Sequence, residues 1–302
     1  MSRAEKIEIF AREAGCKVLT DAPMSEYTTF KIGGSAALLV EPQSEKELSG
    51  ILAKCAEENV KPYIIGNGSN LLVDDGGIDS VVIKIGDGLS EVRMVDETTV
   101  ECGAGLSLSR LCRFALEKGL SGLEFAFGIP GSVGGAVFMN AGAYGGEMKD
   151  VLFSCRYFDQ DGKSGEIEVS QMRLGYRTSI YRETGFVVAS ARFKLKKDDK
   201  EAIKARMDDF LNRRKSKQPL EFPSAGSVFK RPEGNFAGAL IEQCGLKGTR
   251  VGGAEVSEKH AGFIVNNTGA TSSDVSALIK LIQKKVFEEK GVMLEPEVIK
   301  IP

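Results

Sequence analysis

The sequence has few of the residues that several kinds of functional site require. Its 302 residues include no Trp, nine Pro and a single His, His260. A His-rich metal site or a Ser–His–Asp triad would have to be built on that one imidazole, so the composition argues against both. Nine prolines are also too few for a low-complexity linker protein. We therefore expect a globular protein without a metal centre.

Charge and cysteine usage exclude further classes. The net charge is −2, from 40 basic and 42 acidic residues, which removes the electrostatic argument for a nucleic-acid partner. The six cysteines form no Cys-x-x-Cys pair and lie mostly among apolar neighbours, as buried free thiols do. Residues 1–6 are charged and lead into no apolar run, so we expect no signal peptide. These features predict a cytoplasmic location, and they identify no protein partner.

Glycine is unusually abundant: 35 of the 302 residues are Gly, which is well above the usual share of about 7%. Residues 125–146 run for 22 positions without a charge, long enough for a transmembrane helix, but seven of them are Gly. That composition is poor for a helix. We expect no membrane insertion and a buried, glycine-lined backbone instead.

Short β-type runs alternate with amphipathic helices, which predicts an α+β fold. The predicted helices are 3–14, 44–58, 107–118, 199–216, 237–244 and 273–290. The predicted strands are 28–32, 36–40, 62–65, 81–85, 92–95, 98–102, 151–158, 165–169, 186–195, 261–265 and 294–299. Composition shifts at residues 196–200, so we place a boundary between two domains near residue 198. The last strand could belong to either domain.

A first glycine-rich loop follows the strand that ends at Ile65. Its residues are Gly66, Asn67, Gly68, Ser69 and Asn70. Backbone N–H groups together with hydroxyl and amide donors suit a cradle for phosphates. The loop lacks the third glycine of the Rossmann fingerprint and the Walker lysine, so a plain turn is the alternative.

A second, uncharged glycine-rich region covers residues 128–135 and 140–145. Its candidate cofactor-binding residues are Gly131, Ser132, Gly134, Gly135, Asn140, Ala141 and Gly142. Tight packing of helix against sheet would also explain them. Two such loops after β-type runs suit one extended ligand that carries a pyrophosphate, because glycine lets the backbone approach ligand oxygens.

Three further residues are candidates for catalysis. Arg177 lies among aromatic residues and could bind a carboxylate through two hydrogen bonds, although a solvated arginine is the alternative. Ser227 has small neighbours that would let a substrate reach its hydroxyl, or that form a tight turn. Glu297 lies in an apolar strand, where it is either a pKa-shifted catalytic group or faces solvent. His260 is interpreted as structural.

In this order along the chain, the motifs resemble the UDP-N-acetylenolpyruvoylglucosamine reductase family, the flavin enzymes of peptidoglycan precursor synthesis. The resemblance runs from about Thr28 to Val298. It is carried by seven motifs: Thr29–Gly34, Gly66–Asn70, Gly128–Gly145, Tyr176-Arg177, Ala225–Lys230, Lys259–Asn266 and Leu294–Val298.

The resemblance implies a vanillyl-alcohol-oxidase-type FAD-binding domain (residues 1–198), followed by a smaller α/β substrate-binding domain (199–293). It also implies that residues 294–302 return to the first domain. FAD would be bound non-covalently by the two glycine-rich loops, because His260, the only histidine available for covalent attachment, lies outside them. Only 49 residues separate Arg177 from Ser227, which is similar to the shorter subgroup without a Tyr-bearing loop.

The implied reaction is reduction of UDP-N-acetylglucosamine enolpyruvate to UDP-N-acetylmuramate, with NADPH as co-substrate. Arg177 and Glu297 would stabilise charge at the substrate carboxylate, and Ser227 would protonate the adjacent carbon. Tyr144, Lys230 and Arg231 would contact the nucleotide sugar; Arg231 stands where some members have Asn. Another flavin oxidoreductase of the same superfamily and a non-catalytic flavin-binding module are the alternatives, and glycine clusters that serve packing alone would mean no flavin at all.

Overall fold

The computed structural model of the protein describes residues 2–302, which form two compact units. Unit 1 contains residues 2–20, Leu38–Asn67 and Ser80–Arg213. Unit 2 contains Asp21–Ala37, Gly68–Asp79 and Arg214–Pro302. The chain therefore passes from one unit to the other several times rather than once.

Residues 2–302 form eight α-helices, most of them close to the predicted bounds. They are α1 (Arg3–Glu13), α2 (Glu45–Glu57), α3 (Leu108–Glu117), α4 (Val133–Met139), α5 (Tyr181–Thr184), α6 (Lys200–Lys217), α7 (Ala237–Gln243) and α8 (Ser272–Lys290). The Ser44 side chain caps α2, because its hydroxyl accepts a hydrogen bond from the Glu47 N–H at 3.3 Å. None of the helices within residues 2–302 has the length and apolar character needed to cross a bilayer.

The strands are short and numerous. They are β1 (Lys17–Pro23), β2 (Ser35–Glu41), β3 (Tyr63–Ile65), β4 (Leu71–Val73), β5 (Ile78–Lys84), β6 (Val92–Met94), β7 (Thr99–Gly103), β8 (Leu120–Ser121), β9 (Gly142–Ala143), β10 (Gly146–Glu147), β11 (Leu152–Phe158), β12 (Ser164–Glu168), β13 (Val187–Lys194), β14 (Lys196–Lys197), β15 (Arg250–Val251), β16 (Ala254–Val256), β17 (Ile264–Asn266) and β18 (Ile299–Ile301).

Unit 1 is built around an antiparallel sheet with the order β12-β11-β13-β7-β6, and α4 packs on β13. Another sheet has the order β1-β2-β5-β3, with β3 parallel to β5. The helix α6 belongs to this unit as far as Arg213 because Ile203 and Met207 are buried in its core. For this reason most of α6 belongs to unit 1.

Unit 2 has its own hydrophobic core beneath α7 and α8. Phe30, Ile32 and Leu72, from the first quarter of the chain, are buried in that core, and this places their segments in unit 2. The antiparallel sheet has the order β15-β16-β17. The last strand, β18, runs parallel to β4 with Ile299 opposite Leu71. The end of the chain thus pairs with a strand from within residues 1–198.

Three predictions of local structure were wrong. Residues 28–32 are not a strand: the Thr28 hydroxyl donates to the Ile32 carbonyl at 3.0 Å, and Lys31 has a φ of +57° that no strand accommodates. Residues 133–139 form the helix α4 despite two glycines, because burial of Val133 and Val137 outweighs weak helix propensity. The final strand begins at Ile299 rather than Leu294.

Candidate functional site

The first glycine-rich loop connects β3 to β4 and needs glycine at Gly68. Its φ is +62°, and a Cβ there would collide with the carbonyl oxygen of Tyr27. Gly68 is buried, and within residues 2–302 neither its N–H nor the Ser69 N–H donates to an acceptor of the chain. An unpaired buried N–H is costly. The donor set therefore fits a ligand with anionic oxygens, such as a diphosphate.

The second glycine-rich region meets the first in unit 1. A Cβ on Gly66 would collide with the hydroxyl oxygen of Ser132, so the missing side chain permits this approach. Ser132 caps α4, where its hydroxyl accepts from the Gly135 N–H at 3.4 Å. Gly135 is exposed, and a Cβ there would have only the Ser132 hydroxyl nearby, at 3.5 Å. These glycines leave backbone accessible for a cofactor.

Other glycines of the second region serve packing. A Cβ on Gly134 would lie 2.9 Å from the Cβ of Ala104, and one on Gly142 would lie 2.8 Å from the Gly146 carbonyl oxygen. Gly131 is buried, and its carbonyl accepts from the Leu108 N–H at 3.1 Å. Packing thus explains the glycines at these positions, whereas the backbone at Gly135 is open.

The Asn140 side chain is fully buried, and its polar atoms form hydrogen bonds within the protein. Its side-chain amide donates to a Glu147 carboxylate oxygen at 2.6 Å and to the Gly175 carbonyl at 3.0 Å. Its side-chain oxygen accepts from the Lys149 N–H at 2.9 Å. The next residue, Ala141, donates its N–H to the Ala136 carbonyl at 2.8 Å. Asn140 therefore ties the end of α4 to the turn that precedes Arg177.

Arg177 has a strained backbone conformation in unit 1. Its φ is +56°, in the left-handed region that bulky residues rarely adopt. Gly175 and Thr178 form a bridge around it, and Arg182 donates to the Arg177 carbonyl at 2.9 Å. The guanidinium lies 4.9 Å from the ring centre of Tyr176, and its Nη2 contacts the Gly142 carbonyl at 3.4 Å. The turn thus fixes a guanidinium beside the second glycine-rich region.

Ser227 and Glu297 lie on paired segments of unit 2. The Glu297 N–H donates to the Val228 carbonyl at 2.7 Å, and the Val228 N–H donates to the Gly262 carbonyl at 2.9 Å. The Ser227 hydroxyl donates to the Phe229 carbonyl at 3.2 Å. The sequence places these residues 70 positions apart, whereas in the structure their segments are neighbours.

A small residue lies next to Ser227, and hydrogen bonds hold the segment around Glu297. Gly226 has a φ of +76°, and a Cβ there would meet nothing within 4 Å, so the backbone beside Ser227 is open. Asn70, from the first glycine-rich loop, donates its side-chain amide to the Glu297 carbonyl at 3.2 Å. Its own carbonyl accepts from the Ile299 N–H at 2.9 Å. Asn70 therefore holds the segment that carries Glu297 and leads into β18.

The three predicted substrate contacts each have an intrachain partner. Lys230 forms an ion pair with Glu295. The Arg231 guanidinium lies 4.0 Å from the ring centre of Phe236. Tyr144 stacks on Phe210, with ring centres 4.7 Å apart. These partners restrict where the two cations and the phenol ring can be.

Two contributors were missed by the sequence analysis. Thr29 donates its hydroxyl to the Ser224 carbonyl at 2.7 Å and so supports the segment that leads to Ser227. Its motif, Thr29–Gly34, carried part of the resemblance but received no role. Phe210, on the predicted long helix, has no motif that could have identified it.

Electrostatics supports the structural interpretation of His260. Burial lowers its pKa, its Nδ1 accepts from the Gly262 N–H at 3.1 Å, and its ring meets the Phe263 ring edge-on at 5.0 Å. Within residues 2–302, His, Cys, Asp and Glu form no group of three or more that could hold a metal ion.

Comparison with known proteins gives matches to both parts of the chain. Residues 36–167 match a family model described as an FAD binding domain, and residues 218–301 match the C-terminal domain of UDP-N-acetylenolpyruvoylglucosamine reductase. A reductase of that name from Syntrophomonas wolfei is 49% identical over 282 residues, covering 93% of this chain and 94% of the relative. One from Clostridium perfringens strain SM101 is 49% identical over 281 residues, covering 93% and 92%.

A solved structure is also similar over nearly its whole length. The crystal structure of UDP-N-acetylenolpyruvylglucosamine reductase from Thermus caldophilus superimposes with a TM-score of 0.80 at 38% identity. The alignment covers 95% of this chain and 99% of that one. The predicted fold class, an FAD-binding domain followed by a smaller substrate domain, is confirmed.

Proposed function

The chain belongs to the UDP-N-acetylenolpyruvoylglucosamine reductase family, and from that premise we propose that Arg177, Ser227 and Glu297 carry its reaction. It is an FAD-binding oxidoreductase of peptidoglycan synthesis that uses NADPH to reduce the enolpyruvyl group of UDP-N-acetylglucosamine enolpyruvate. The observation that supports the residue assignment most strongly is the pairing of the Ser227 and Glu297 segments through the Glu297 N–H and the Val228 carbonyl.

The two glycine-rich loops are proposed to hold the cofactor without a covalent bond. When bound, FAD supplies the hydride chemistry between NADPH and the substrate. The N–H groups of Gly68 and Ser69 are available for its diphosphate, and the exposed Gly135 lets the ligand approach the start of α4. We propose that Asn67, Gly131 and the other predicted cofactor-binding residues of the two loops also contact the FAD.

Arg177 is proposed to bind the carboxylate of the enolpyruvyl group. Its guanidinium can donate two parallel hydrogen bonds to a carboxylate, and negative charge builds up on this group when the double bond is reduced. The strained turn and the Tyr176 ring fix the guanidinium in advance, so little ordering is needed when the substrate binds.

Ser227 is proposed to be the proton donor and Glu297 its neighbour at the carboxylate. A serine hydroxyl is a weak acid, so it can give up its proton only to a strongly basic carbon next to the substrate carboxylate. In a protonated form, Glu297 would donate a hydrogen bond to the same carboxylate. The open backbone at Gly226 leaves room for the substrate beside Ser227.

Lys230, Arg231 and Tyr144 are proposed to bind the nucleotide sugar. Its diphosphate carries negative charge that the near-neutral net charge of the protein does not attract at long range, so local cations are required. We propose a cytoplasmic location, and we assign FAD binding to residues 1–198 and most of the substrate binding to 199–293, with 294–302 returning to the first part.

Two additions under anaerobic conditions test the function. Adding NADPH to the purified yellow protein should bleach the visible absorbance of the oxidised flavin. Adding UDP-N-acetylglucosamine enolpyruvate should then restore the colour. Colourless protein, a flavin that NADPH leaves oxidised, or bleached flavin that the substrate does not reoxidise would each contradict the proposal.

A further inference from the structure

Tyr144 lies at the tip of a hairpin that restricts its backbone. β9 and β10 pair so that Tyr144 and Gly145 form the two-residue loop between them. Their φ angles are +53° and +88°, the combination that a type I′ turn requires. A bulky residue is strained in this conformation. The local sequence does not favour this conformation of Tyr144, so a contact with another part of the unit must stabilise it.

The ring of Phe210 supplies that support. The two rings lie 4.7 Å apart and are parallel within 2°. Phe210 is half-buried on α6, whereas Tyr144 is 38% exposed. Stacking against a fixed ring restricts the side-chain torsions of a partly exposed tyrosine. The Tyr144 ring is thus oriented before any ligand arrives.

Both rings are attached to one support, the short helical turn Glu124–Ala126. On one side, Arg206 donates to the buried Glu124 carboxylate at 2.8 Å, and Arg206 precedes Phe210 by one turn of α6. On the other side, the Phe125 ring packs under β10, where a Cβ on Gly146 would come within 2.7 Å of it. The stack therefore joins two elements whose separation is already fixed.

We propose that Phe210 is a positioning residue for substrate binding, acting through the ring of Tyr144. The inference rests on the proposed function, in which Tyr144 contacts the nucleotide-sugar substrate. An ordered ring loses less side-chain entropy on binding than a mobile one. From the range for aromatic pairs, loss of the stack raises KM by about threefold to tenfold.

Steady-state kinetics of the holoenzyme tests the role. Phe210→Ala should raise KM for UDP-N-acetylglucosamine enolpyruvate by about threefold to tenfold and change kcat by less than about twofold. The rate of flavin reduction by NADPH should stay unchanged. Phe210→Tyr, which keeps an aromatic ring at this position, should have the KM of the unmodified enzyme. Phe153→Ala is the matched control, because Phe153 is 51% exposed on β11 of the same unit. If Phe210→Ala folds poorly, Phe210→Leu keeps an apolar side chain without the stack, and the same KM increase is expected.

A double-variant cycle separates this role from the substrate contact itself. With Tyr144→Ala in place, Phe210→Ala should change KM by less than about twofold, since the ring to be positioned is gone. Independent, multiplying effects would overturn the positioning role, and so would a normal KM in Phe210→Ala when Tyr144→Ala raises it. A normal KM in Tyr144→Ala would instead overturn the substrate contact that the proposed function assigns to Tyr144.

Discussion

Replacing Asn140 by Ala is expected to destabilise unit 1 strongly, because the side chain is fully buried and makes three hydrogen bonds. The bond to the Glu147 carboxylate involves a charged group and contributes about 1.5–3 kcal/mol, and each neutral bond contributes about 0.5–1.5 kcal/mol. Ala also tolerates the φ of +42° less well than Asn does, by about 1 kcal/mol. The expected loss is about 3.5–7 kcal/mol of unfolding free energy.

Thermal unfolding followed by circular dichroism measures this loss. For a unit of this size, each kcal/mol corresponds to about 2–4 °C, so the Tm should fall by about 7–28 °C. Asn59→Ala is the matched control: Asn59 has a φ of +54° and is exposed, so only the backbone preference is lost. If Asn140→Ala costs no more than Asn59→Ala, the buried hydrogen bonds do not stabilise the unit. If the loss disappears once flavin is removed, Asn140 acts through the cofactor instead.

Three other outcomes follow from the site and its surroundings. Arg177→Ala should slow flavin reoxidation by the enolpyruvyl substrate by about 10²-fold while FAD stays bound; release of FAD would show that Arg177 belongs to the cofactor site. Because burial lowers the pKa of His260 below its ordinary 6.5, the unfolded chain takes up this proton more readily, so stability should fall as pH drops below about 6.5. His260→Gln should reduce that fall between pH 7 and 5.5 in urea titrations, and an unchanged slope would contradict the assignment. Iodoacetamide at pH 8 should label the half-buried Cys244 first, since burial raises the pKa of buried thiols such as Cys155 to about 12; mass spectrometry showing Cys155 labelled earlier would contradict this.

Local patterns in the sequence were sufficient for most of the helices and many of the strands. A capping serine such as Ser44 and a regular apolar face define α2 within one residue of its observed bounds. The same reasoning failed for α4, where glycine suggested irregular backbone and tertiary burial made a helix. It also failed at residues 28–32, where the Thr28 side chain closes a turn that an apolar, β-branched pattern does not reveal.

The candidate site was identified as a set of motifs, but not as an arrangement. Ser227 and Glu297 were named from their neighbours in the chain, whereas their pairing depends on a hydrogen bond between Glu297 and Val228, 69 positions apart. The sequence could not predict that the buried Asn140 side chain links α4 to the turn before Arg177, because its partners, a carboxylate and a carbonyl, are brought to it by the fold. Phe210 could not be identified from the sequence either, because an apolar residue on a long helix is ordinarily only part of a packed face.

The roles of the catalytic residues are tested most directly by stopped-flow kinetics of the Ser227→Ala holoenzyme, in two separate half-reactions. Flavin reduction by NADPH should proceed at the rate of the unmodified enzyme, because Ser227 takes no part in it. Reoxidation of the reduced flavin by UDP-N-acetylglucosamine enolpyruvate should be slower by about 10²-fold or more, since the proton donor is missing. Reoxidation at the normal rate would contradict the assignment of Ser227 as the group that protonates the substrate.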